Sequence, residues 1–118
     1  MLITSIPQYI QGVTNAKVDL TTTDLTTLFT VPSDADFNAA VVNSILVAED
    51  SGNADTITVT ITDSASAVFS VFKTKAVGAN TTVELLTAPL VIEESEIVKV
   101  TAATADRLHV VASLLEVS

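Results

Sequence analysis

Cysteine is absent from this 118-residue chain, which excludes a disulfide scaffold, a thiolate metal centre and a thiol nucleophile. Tryptophan is absent too and Tyr9 is the only tyrosine, so the aromatic planes on which sugars and bases stack are scarce. The three glycines, Gly12, Gly52 and Gly78, are far apart, which rules out a phosphate-cradling loop, a dinucleotide fingerprint and a nucleophile elbow. Basic residues number 5 against 14 acidic ones, a formal net charge of -9 with pI near 4.1. Nucleic acids and anionic membranes attract basic surfaces, so neither is expected as a partner. No apolar run approaches the roughly 18 residues of a membrane-spanning helix. Met1 to Pro7 lacks the basic start and cleavage site of a signal peptide, so the chain reads as soluble.

What is present is β-branched. Thr, Val and Ile supply 43 of the 118 residues, and their restricted χ1 suits a pleated, half-buried surface. Thr56 to Thr62 alternates strictly, with Ile57, Val59 and Ile61 on one face and four threonines on the other. The apolar run Ala39–Glu49 precedes it across a polar loop, and the two read as an antiparallel hairpin. Further strands are expected over 25–31, 68–73, 81–87, 90–92, 97–101 and 107–117, with turns at Asp63–Ser66, Val77–Asn80 and Glu93–Glu96. A helical turn near Asp24–Leu28 is opposed by its threonines. The spacing predicts one all-β domain, an antiparallel two-sheet β-sandwich of jelly-roll or immunoglobulin-like type with seven to eight strands. It occupies residues 17–118; residues 1–16, with Pro7 and Gly12 and no sustained alternation, read as an extended N-terminal arm.

Several strands are apolar on both faces. In the last one, Leu108, Val110, Ala112 and Leu114 share one face while His109, Val111, Ser113, Leu115 and Val117 share the other. Two readings compete: small and branched residues tolerated outside, or an outer face covered by another chain or by the arm. The arm carries Leu2, Ile3, Ile6, Tyr9, Ile10 and Val13, which are the candidate interface residues.

Candidate chemistry is thin. His109 is the single histidine, and its same-strand neighbours Arg107 and Val111 offer neither an orienting group nor a nucleophile. Glu93, Glu94 and Glu96 read as a solvated corner with no aromatic platform for a sugar beside it. Glu49, Asp50, Asn53 and Asp55 form an oxygen-rich loop with some calcium character, but Gly52 and Ile61 sit where the hand motif needs other residues. Zinc lacks a ligand set. No catalytic residue, metal or cofactor is assigned.

Two stretches carry a resemblance. One is Val42 to Ala48 followed by Thr56 to Asp63. The other runs from Asn80 to Leu86, through Pro89 to Glu93 and Ile97 to Ala102, and closes with Ala105 to Val117. Together they resemble the small β-sandwich virion structural proteins of tailed bacteriophages, over about residues 25–117. The resemblance implies a non-enzymatic role, with capsid decoration (cement) first and a tail, neck or fibre-base component second. It further implies the major capsid protein or other virion proteins as partners, a homo-oligomer such as a trimer, and a place on the capsid exterior. A receptor- or carbohydrate-binding module is the competing class.

Overall fold

A computed structural model describes residues 12–32 and 39–117, and every regular element among them is a strand. In chain order these are β1 (Gly12–Asp19), β2 (Thr26–Thr30), β3 (Ala39–Glu49), β4 (Asp55–Thr62), β5 (Val68–Val77), β6 (Thr82–Glu84), β7 (Leu90–Glu93), β8 (Ile97–Ala102) and β9 (Leu108–Val117). The first sheet has the order β1-β9-β3-β6, with β7 pairing the other half of the β3 edge; the second has the order β2-β8-β4-β5. All pairings are antiparallel.

β6 and β7 lie end to end along β3, opposite Leu46–Ala48 and Ala39–Val42 respectively. Counted as one interrupted edge strand, they leave two four-stranded sheets with first-to-last, second-to-penultimate pairing. That is the order of a jelly roll. The chain changes sheet at almost every connection, and the one hairpin within the second sheet is β4–β5.

Alternation explains which residues meet between the sheets. Val42, Ile45 and Val47 of β3 and Leu108, Val110 and Ala112 of β9 are fully buried on the first sheet. Ile57 and Val59 of β4 with Val98 and Val100 of β8 meet them from the second. Asn43 is skipped in the β3–β9 register, a bulge that restores Ile45 to the inner face after Val42.

Two expectations need correction, the strand count and the hairpin. There are nine strands rather than seven or eight, because residues 12–16, assigned to the arm, belong to β1. Its inward positions are Thr14, Ala16 and Val18, too small and mixed to register as an apolar face. Runs 39–49 and 55–62 are not a hairpin: β3 pairs β9, β6 and β7 while β4 pairs β5 and β8, so the polar loop crosses between sheets. The segment near Asp24–Leu28 holds no helix and leads into β2. The threonine face of β4 is not uniformly wet. Thr60 and Thr62 are 6% and 9% exposed, and neither hydroxyl has a hydrogen-bond partner. On that face Thr60 lies between Lys99 and Ser70, and Thr62 between Ile97 and Val68.

The two faces of β4 therefore respond oppositely to substitution. Val59→Ala should destabilise by about 1–3 kcal/mol through lost burial and a cavity. Thr60→Val keeps the shape and removes an unpartnered buried hydroxyl, so it should stabilise by about 1 kcal/mol. Urea midpoints of the two variants against the parent test both signs.

Candidate functional site

Three places concentrate polar or exposed groups: the end of the sandwich where the chain changes sheets, the histidine of β9, and the outer face of the first sheet.

At the crossover end, Glu49 closes β3 and is only 2% exposed. Its carboxylate turns back into its own loop and accepts hydrogen bonds from the amides of Ser51 (2.9 Å), Gly52 (2.9 Å) and Asn53 (3.1 Å), and from the Ser51 hydroxyl. A further amide, Asn80 (3.1 Å), reaches it from the loop that carries the chain from β5 back to the first sheet. The wrap requires left-handed backbone at Gly52 (φ 84°), where glycine is unstrained, and at Asn80 (φ 55°), where asparagine is tolerated. Burial alone would raise the pKa of this carboxyl. The Ser51 hydroxyl and the Asn80, Ser51 and Gly52 amides override it and lower the value from 4.5 to about 2.

Asp55 does the same work from the start of β4. It accepts from its neighbour Thr56 (2.8 Å) and from Thr104 (3.1 Å) in the β8–β9 loop, while Arg107 donates to the Ala54 carbonyl (3.0 Å). Two of the three carboxylates of the loop considered for calcium, Glu49 and Asp55, are thus turned to backbone amides, and the third, Asp50, lies against His109. Among the described residues no three His, Asp or Glu side chains are grouped as metal ligands.

His109 has neighbours invisible along its own strand. Asp19, directly opposite on β1, lies 3.3 Å from Nε2, and Asp50 lies 3.5 Å from Nδ1. Both ring nitrogens face carboxylates, which suits an orienting ion-pair cluster. No hydroxyl is hydrogen-bonded to the ring among the described residues, so the arrangement lacks a nucleophile. Sequence reasoning missed the two aspartates because only the β1–β9 register and the β3 end bring them in.

The outer face of the first sheet is the third place. Val13, Leu115, Val41 and Val91 stand directly opposite one another across β1, β9, β3 and β7, a continuous apolar row. Val13 is 79% exposed and Val91 57%. Two register steps further on, Val111 and Leu46 continue the apolar strip between Lys17 on β1 and Glu84 on β6. Of the interface candidates, Val13 is therefore placed at the rim of this face. Leu2, Ile3, Ile6, Tyr9 and Ile10 lie outside the described residues. Glu93 and Glu96 form the tight turn into β8, where the Glu96 carboxylate accepts from the Glu93 amide (2.7 Å).

The free edge of the second sheet is less inviting to another strand. β5 carries Lys73 and Lys75, bends at Thr74 (φ 49°) and slips register twice against β4. Such bulged, charged edges resist strand addition.

Compared with known protein families and with curated proteins, the chain matches none.

The Glu49 carboxylate makes stability depend on pH with a definite sign. Its folded pKa lies below the ordinary value, so its contribution is present above about 4.5 and disappears as pH falls through about 2. Glu49→Gln should lower the melting temperature at pH 7. Near pH 2 the parent's carboxyl is about half protonated and most of the difference between the two proteins should be gone. Thermal melts at pH 7, 4 and 2 read this directly.

Proposed function

We propose that this chain is a non-enzymatic structural component of a tailed-bacteriophage virion. In this reading it is a capsid decoration protein bound in many copies outside the shell, with the major capsid protein or another virion protein as its partner. The observation that carries the reading is the apolar outer face of the first sheet. A folded module whose Glu49 and Asp55 hold its own backbone, and whose outer face sets the row Val13–Leu115–Val41–Val91 and the pair Val111–Leu46 among polar residues, is suited to being bound. A jelly roll hosts capsid and lectin domains alike, so the fold by itself does not choose. A sugar site needs convergent polar groups and commonly an aromatic plane, and the Val13–Leu115–Val41–Val91 row supplies neither. The net charge of -9 favours the exterior of a particle over contact with packaged DNA.

Quantitative mass spectrometry and antibody labelling of purified virions of the encoding phage test this. The expected result is a high copy number with label distributed over the shell. Label confined to the neck or tail would move the module to those parts of the particle. Absence from virions, or specific calcium-dependent binding on a glycan array, overturns the proposal.

A further inference from the structure

The outer face of the first sheet is self-complementary, and we infer that it pairs with the same face of a second copy of this chain about a twofold axis. This goes beyond the virion reading and does not rest on it: the second copy occupies the face in the free protein, so a virion partner using that face would have to displace it. The axis runs parallel to the strands, midway between β9 and β3, the two central strands of the face. Such a rotation lays each cross-strand row on itself in reverse order.

The rows then match residue by residue. In the apolar row, Val13 meets Val91 of the second copy and Leu115 meets its Val41. In the next, Ser113 of β9 meets Ser44 of β3, two small hydroxyl side chains. In the row Lys17–Val111–Leu46–Glu84, Val111 meets Leu46 and Lys17 meets Glu84. The last row brings Asp19 over Thr82 and His109 over Ala48. Apolar groups meet apolar groups, each cation meets an anion, and no like charges are opposed in these four rows.

The charged pair is well prepared. Glu84 is held in place by the Ser44 hydroxyl and by the amides of Ile45 (2.9 Å) and Leu86 (3.3 Å). Its partial burial opposes ionisation, but the Ser44 hydroxyl and these amides still lower its pKa. It is therefore a fixed anion at one rim of the face. Lys17, at the opposite rim, has no ion pair among the described residues. One such pair forms twice in a twofold dimer, so two otherwise idle lysines find partners.

The area is sufficient. β1, β9 and β3 contribute 8, 10 and 11 residues and the β6–β7 edge 3 and 4, which at about 3.4 Å each and about 4.8 Å between strands cover roughly 590 Å² per copy. The total of roughly 1,200 Å² stands at the lower end of the range of stable protein interfaces. Two twisted sheets meeting this way pack with nearly aligned strands, as they do inside a sandwich.

Sedimentation equilibrium of the full chain should give twice the 12.3 kDa chain mass. Val41→Asp places a charge in the apolar row and should give a monomer with an unchanged circular dichroism spectrum. Lys17→Glu, on the surface and harmless to the fold, should raise the dimer Kd by at least about tenfold. The chain has no cysteine, so crosslinking is clean. Val13→Cys and Val91→Cys should give a covalent dimer with a short bismaleimide when the two variants are mixed, and little from either alone. A monomer at high micromolar concentration overturns the inference, whether its face is bare or covered by its own N-terminal residues. So does a trimer, or crosslinking as efficient within each single variant as in the mixture.

Discussion

The Glu49 carboxylate is the interaction on which the closure of this sandwich depends. It stands where β3 ends and the chain must leave one sheet for the other, and it holds two such departures together. The amides that bind it belong to exposed residues, whereas Glu49 itself is only 2% exposed. A carboxylate taken out of water is costly without donors, and the two loops supply them together. Asp55 repeats the device for the β8–β9 loop, so the end of the molecule that carries the β3–β4, β5–β6 and β8–β9 crossings is held by two acids. In a chain with 14 acidic residues, these two are structural parts.

The same order of strands creates the molecule's two unlike exteriors. β9 and β3 form the centre of the first sheet, and both are apolar outside as well as inside. The outer face of the second sheet carries Thr58, Thr60, Thr62 and Thr101 around Lys99, with the bulged β5 at its margin. Hydrophobic area that the core does not need is thus concentrated on the first sheet, while hydroxyls predominate on the second, where Ile97 and the 58% exposed Val68 flank Thr62.

Much of the architecture was legible in the chain because β-branched alternation is a strong signal. Thr56–Thr62 identified β4, and the two-sided apolar pattern of Leu108–Val117 marked both a central strand and an unusual outer face. What escaped had no local signature. β1 was hidden because Thr14 and Ala16 are weak markers of an inward face. The sheet change after Glu49 looked like a hairpin because a polar loop between two apolar runs is the same string in either case. The Asp19–His109–Asp50 cluster joins residues from three separate segments, so only the register reveals it. Glu49 was noticed for the right reason, its oxygens in a loop, but the donors that claim them are backbone amides, which sequence does not display.

The pairing of β1 with β9 has a consequence for biogenesis. The first sheet has β9 at its heart, yet β9 is the last of these nine strands to leave the ribosome. Until it does, β1 has no neighbour in its sheet and β3 has only β6 and β7 along one side, so strands rich in valine and isoleucine keep open edges. Among the pairings formed before then, only β4–β5 is a local hairpin, which makes it the natural seed. The sandwich must therefore assemble late and almost at once, and its exposure to misassociation falls during synthesis, before any partner surface exists.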